Sequence, residues 1–204
     1  MEFMEFYRRF KSEPYVDSRV FSMLGQSEQM IRNQVSGWKK KGLLVQLKKG
    51  LYVFSQDYKP YPEKGFVANL LLQPSYLSLE YALSRYGLIP DIVRAYTSVS
   101  TKKTCRFENK TGSYIFRHVK EALFFGYVKK DGVLIASPEK ALLDHIYLSA
   151  RAGAKIDKSF FLDNMRIQNT KNLNIAALKK YASRFGSGAV SAAAEILEKI
   201  WKNY

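Results

Sequence analysis

The chain is poor in the residues that build covalent or metal-linked sites. It has one cysteine, Cys105, and two histidines, His118 and His145, in 204 residues. A lone cysteine closes no internal disulfide, so a disulfide framework is excluded and a reduced, cytoplasmic setting is expected. Cys105, His118 and His145 are single and far apart, without the paired spacing that a zinc site needs, so no metal is expected. Long apolar runs are missing too. The longest, Phe66 to Leu72, is interrupted by Asn69 and is far shorter than a membrane span. The opening MEFMEFYRRF has acids and aromatics where a signal peptide has cations and then an apolar stretch. There is no glycine-rich phosphate loop, no repeat and no low-complexity tract, and no cofactor is expected.

Acidic residues are also scarce. Eighteen Asp and Glu stand against 33 Lys and Arg, for a formal net charge of +15. The excess is spread over residues 1–60, 61–149 and 150–204 alike, which suits a long anionic partner, although charge alone is also a solubility device. With 47% apolar and 14% aromatic residues the chain has enough material for a packed core. The length fits one large domain or two small ones.

The segment 55–65, SQDYKPYPEKG, carries two prolines and a glycine between apolar regions and reads as a linker. It divides the chain into domains at 1–60 and 61–204. In the first, Phe3, Phe6, Tyr7 and Phe10 lie at helical spacing, and Val20, Phe21 and Leu24 suggest a short second helix ending at Gly25. Ser27 is a suitable N-cap for a third helix, Ile31, Val35 and Trp38 form its apolar stripe, and Gly42 follows its end. Two apolar runs, 43–47 and 51–54, flank Lys48-Lys49-Gly50 as a hairpin. Three helices followed by a hairpin is the order of a winged helix-turn-helix. In the second domain, helical patterns around 66–72 and 79–86 precede strand-like runs at 95–100, 104–108, 113–119, 123–129 and 133–136. Helices starting at Ser137-Pro138 and near 158–166, 174–185 and 189–202 complete it. The expected fold is therefore α+β: an N-terminal winged helix-turn-helix, then a mixed domain of antiparallel strands flanked by helices.

If Ile31, Val35 and Trp38 face inward, the outward face of the third helix carries Gln29, Asn33, Ser36 and Lys40, flanked by Arg32 and Lys39. Asn and Gln suit adenine edges and Arg suits guanine. Gln29, Arg32, Asn33 and Ser36 are the expected base readers. Ser27, Lys39, Lys40 and the hairpin-tip Lys48 and Lys49 are the expected phosphate contacts. Two cationic elements then flank a single duplex. The plainer alternative is that Lys39-Lys40-Lys41 is a solvated helix end complementing the helix dipole. Glu28 fits a helix N-terminus but would repel a phosphate.

The run KKGLLVQLKKGLYVF resembles the winged-helix domain of the AbiEi antitoxins, and PSYLSLEYALSRYGLIP (74–90) and ASPEKALLD (136–144) resemble two motifs of that family's second domain. The likeness covers most of the chain up to about residue 150. It implies the antitoxin of a bacterial type IV toxin–antitoxin system that represses its own operon by binding operator DNA. It also implies a partner, a nucleotidyltransferase toxin engaged directly or indirectly. Under it, Ser75, Tyr76, Ser78, Glu80, Glu139 and Lys140 form a motif surface for the toxin or its substrate. Capping and packing roles for the same residues remain open.

Other chemistries are weaker. Lys140 and Asp144 lie four residues apart and are expected to pair on one helix face, which leaves no nucleophile arrangement with Ser137 or His145. Asp91 with Glu108 and Lys110 fits a loose metal-dependent nuclease pattern, but Lys110 falls in a turn signal. Tyr114, Phe116, Phe124, Phe125 and Tyr127 could stack bases of an RNA, tRNA included, or fill one face of a sheet. No catalytic residue is expected.

Overall fold

Ile31, Val35 and Trp38 all turn to one side of their helix, and the smaller of two apolar cores forms against that side. The computed structural model describes residues 1–202. Helix α1 (Phe3–Phe10) buries Phe3 and Phe6. A two-residue strand β1 (Val16–Asp17) follows, then a 3-10 turn, Ser18–Met23, where a second α-helix was expected. The Asp17 carboxylate accepts from the backbone N–H of Arg19 at 2.9 Å, which starts a tight turn and leaves room for only Phe21 to anchor it. Helix α2 (Glu28–Lys40) begins at Ser27, whose hydroxyl accepts from the Met30 N–H at 3.3 Å, and Gly42 follows it with φ of 74°. Strands β2 (Leu44–Lys48) and β3 (Leu51–Phe54) form the hairpin, and the sheet order is β1-β3-β2, antiparallel throughout. Phe6 is fully buried, with its ring 4.8 Å from Trp38, and burying such a side chain stabilises by about 1.5–3 kcal/mol.

The hairpin is covered on both faces. Leu44, Tyr52 and Phe54 point into the N-terminal core, while Val45, Leu47, Leu51 and Val53 point into the larger core of the rest of the chain. This is the period-2 alternation of a strand with protein on each side, and it accounts for the nearly unbroken apolar runs 43–47 and 51–54. Two side-chain bonds fasten the same junction: Asn109 Nδ2 donates to the Leu47 carbonyl at 3.0 Å, and Lys48 Nζ donates to the Leu71 carbonyl at 2.7 Å.

The larger unit contains α3 (Lys64–Leu71), β4 (Ser75–Leu77), α4 (Leu79–Arg85), β5 (Tyr96–Ser100), β6 (Cys105–Asn109), β7 (Gly112–His118), β8 (Tyr127–Lys130), β9 (Val133–Ala136), α5 (Pro138–Arg151), a π-helical turn (Phe160–Asn164), α6 (Ile175–Arg184) and α7 (Gly188–Lys202). Its sheet has the order β6-β7-β5-β4-β9-β8. The central pair β4/β5 and the outer hairpins β6/β7 and β8/β9 are antiparallel, but β5/β7 and β4/β9 run parallel. The sheet is therefore mixed, not purely antiparallel as expected. In each hairpin the later and more apolar strand is tucked inward: Tyr114 and Phe116 of β7 and Val133, Ile135 and Ala136 of β9 are buried, while Lys129 and Lys130 of β8 face solvent. The expected strand at 123–129 begins only at Tyr127, because 121–123 form a 3-10 turn. Strand β4 stands where a helix entry was expected.

Candidate nucleic-acid interface

Helix α2 presents one long polar face. Gln29, Arg32, Asn33, Ser36 and Lys40 are exposed, and no other part of the described chain is packed on them. Opposite them, Ile31 and Val35 are 0% and 2% exposed. Gln29 Nε2 donates to Asn33 Oδ1 at 2.9 Å, so the two amides form one unit a helical turn apart. The Arg32 guanidinium is paired with the Glu28 carboxylate on the same face. Met23 and Met30 are exposed near the start of the helix.

The expected phosphate contacts are in different situations. Ser27 is exposed, but its hydroxyl is occupied as the cap of α2. Lys40 and Lys49 are exposed. Lys39 donates to Gln46 Oε1 at 2.6 Å, which joins the end of α2 to the hairpin. Lys48 is held half-buried on the Leu71 carbonyl and braces the hairpin against α3. Lys48, expected as a free phosphate contact, is thus engaged within the protein, and Lys49 is the exposed one of the two.

The motif surface in the second domain also needs correction. Ser75, Tyr76, Ser78, Glu139 and Lys140 are buried, and only Glu80 reaches the surface in part. The Ser75 hydroxyl donates to the Leu72 carbonyl at 2.6 Å, and Glu139 Oε1 accepts from the Asn174 N–H at 2.8 Å. Lys140 and Asp144 pair at i and i+4 as expected, but with both side chains 0% exposed. Ser78 Oγ and the Tyr76 hydroxyl donate to Asp144 Oδ2 at 2.9 and 3.0 Å, and Lys140 Nζ donates to the Tyr76 oxygen at 2.9 Å. The ammonium lies 4.8 Å from the Phe125 ring and 5.0 Å from that of Phe185. Burial pushes the Asp144 carboxyl up and the Lys140 ammonium down from their ordinary values, and their mutual attraction offsets only part of this. Burial beside the Asp144 carboxylate pushes the Tyr76 hydroxyl up, so it stays a donor. The cluster is shut off from solvent, with both charged side chains buried.

A cleft of about 420 Å³ opens between α4, α5, β5 and β7, with Glu80, Thr97, Arg117 and His145 as its main polar groups. His145 Nε2 lies 3.5 Å from Glu80 Oε1. Burial raises the Glu80 carboxyl, but the neighbouring His145 and its own backbone N–H outweigh that and hold it below its ordinary value. The Thr97 hydroxyl is spent on the Ser78 carbonyl at 2.8 Å and supplies no nucleophile. The sequence offered no hint that Glu80 and His145, on two different helices, would meet.

The loose nuclease residues are engaged separately. Asp91 pairs with Arg166 at 2.5 Å and Glu108 with Arg106 at 3.3 Å, while Lys110 sits in the turn between β6 and β7. Among the described residues no three of His, Cys, Asp and Glu converge on one point. Tyr114 and Phe116 are buried, and Phe124, Phe125 and Tyr127 are half-buried among neighbouring rings. Among the described residues no helix is long and apolar enough to cross a membrane. No known protein family and no curated protein matches the chain.

Proposed function

We propose that residues 1–60 are a winged helix-turn-helix and that the chain binds duplex DNA through α2, acting as a cytoplasmic transcriptional autorepressor and an antitoxin of the AbiEi kind. The observation that carries this reading is the exposed row Gln29, Arg32, Asn33, Ser36 and Lys40, backed by the buried Ile31 and Val35. A helix of this kind fits a major groove, and the exposed Lys40 and Lys49 would neutralise phosphates. The +15 charge favours encounter with a polyanion. The order helix, β1, turn, helix, hairpin and the sheet order β1-β3-β2 suit a winged helix. The antitoxin part rests on the two motifs at 74–90 and 136–144, and the nucleotidyltransferase partner on that likeness alone. No chemical step is required. The RNA reading is less well supported, because two of its expected stacking residues, Tyr114 and Phe116, are buried.

The test is a fluorescence-anisotropy titration of the full chain against the duplex upstream of its own gene, an unrelated duplex and a tRNA, repeated across salt concentrations. Tighter binding to the upstream duplex is expected. Lys49→Ala is expected to weaken binding to all duplexes and to lower the salt slope by about one unit. Preference for tRNA, or no duplex binding near physiological salt, would refute the proposal.

A further inference from the structure

The contact expected to dominate a polar helix face is an arginine on guanine. On α2 that contact has a competitor: Glu28, one turn before Arg32, pairs with its guanidinium. What α2 offers instead is the bonded pair of amides. Gln29 Nε2 donates to Asn33 Oδ1 at 2.9 Å on the exposed face. Each amide has two N–H groups and one carbonyl oxygen. Once the mutual bond is made, the Gln29 oxygen remains a free acceptor, Gln29 keeps one N–H and Asn33 keeps both of its own. Were the bond to run from Asn33 to Gln29, the same outward set, free N–H donors beside one free oxygen, would result with the residues exchanged. The bond also fixes two side chains that would otherwise lose rotamer freedom on binding.

In the major groove adenine shows an acceptor, N7, beside a donor, the N6 amino group. Guanine shows two acceptors, N7 and O6. A free N–H used together with the free oxygen matches adenine, and the same placement sets the oxygen against guanine O6. We infer that the Gln29–Asn33 pair acts as a single reader of an A·T base pair, and that Glu28 keeps Arg32 from competing for guanine. This rests on the proposed duplex binding.

The experiment selects from a random duplex library with the full chain. It then measures affinity for the best duplex, for the same duplex with its key A·T pair changed to G·C, and for an unrelated duplex. The wild-type chain is expected to enrich an A·T pair and to lose about 5- to 150-fold on the change to G·C. Gln29→Ala and Asn33→Ala are each expected to abolish that discrimination, so that the affinities for the A·T and G·C forms of the duplex become equal. The double variant should discriminate no less than either single one, because the pair works as a unit. Glu28→Gln is expected to add a guanine preference, and the absence of any gain would overturn the withholding of Arg32. Discrimination that survives in either alanine variant, or enrichment of guanine by the wild type, would overturn the adenine reader while leaving duplex binding intact. Failure of the wild type to bind any duplex would remove the proposed function and this inference together.

Discussion

Replacing Asp144 by alanine strips a fully buried cluster of its only carboxylate. Three donors lose their acceptor at once: Lys140 Nζ, Ser78 Oγ and the Tyr76 hydroxyl. The Lys140 amine cannot reach water, since it is 0% exposed and enclosed by the Tyr76, Phe125 and Phe185 rings. Breaking a buried pair by removing one partner costs about 3–5 kcal/mol. For a chain of 204 residues each kcal/mol lowers Tm by about 2–4 °C, so a drop of about 6–20 °C is expected for Asp144→Ala. The diagnostic comparison is the double variant Lys140→Met/Asp144→Asn. It keeps an acceptor for Ser78 and Tyr76 and places an apolar side chain among the rings, so it should recover more than half of the loss. Scanning calorimetry of the wild-type chain and both variants at pH 7 measures this directly. A single variant melting within about 2 °C of wild type would show that the cluster is not buried as described. A double variant less stable than the single one would show that the charges themselves contribute net stability.

Two further outcomes follow from the geometry. Lys48→Ala removes the half-buried bond to the Leu71 carbonyl and is expected to cost about 1–2 kcal/mol of stability while leaving the salt slope of duplex binding unchanged. A slope reduced as much as by Lys49→Ala would restore Lys48 to the phosphate contacts. Glu80 has its carboxyl held below the ordinary glutamate value near 4.5 in the folded chain. Folding therefore favours the ionised form, and the resulting stability is present above that value and lost as pH falls through and below it. Glu80→Gln should flatten the acid limb of a plot of Tm against pH below about pH 5. Parallel limbs for the two proteins would contradict the contact with His145.

Legibility in the sequence varied with how local the deciding interaction is. Helix α2 could be read because Ser27, the stripe Ile31, Val35 and Trp38, and Gly42 all lie within sixteen positions of one another. The β8/β9 turn could be read because Asp131 and Gly132 both adopt positive φ, the conformation that a tight hairpin turn with Asp-Gly demands. Which strand of a hairpin lies inward could not be read from the turns, because it depends on pairing with β5 and β4, which lie far off in sequence. The polar face of α2 was legible as a face. The engagement of Lys48 with Leu71 was not, since only the packed hairpin brings 48 and 71 together. The pairing of Lys140 with Asp144 was legible from its spacing, but its burial was not, because the enclosing partners Tyr76 and Ser78 are more than sixty residues away.

Strand β4 shows why a motif so rich in hydroxyls is buried. It is three residues long, pairs with β5 at three positions and with β9 at one, yet lies at the middle of the sheet. So short a ladder needs side chains to hold it. Ser100 Oγ donates to the Pro74 carbonyl at 2.6 Å, Thr97 Oγ1 donates to the Ser78 carbonyl, and Tyr76 and Ser78 fasten the strand to α5 through Asp144. Leu79 then takes φ of 57°, a conformation costing about 1–2 kcal/mol that turns the chain abruptly into α4 and keeps Ser78 aimed inward. Polar residues that would cap a surface helix here pin a strand. Substitutions at Tyr76, Ser78 or Lys140 should therefore lower stability without changing base discrimination, whereas substitutions at Gln29 or Asn33 should do the reverse. The two motifs and the polar helix face thus separate folding from recognition, and a variant at Ser78 that altered discrimination while melting normally would break that separation.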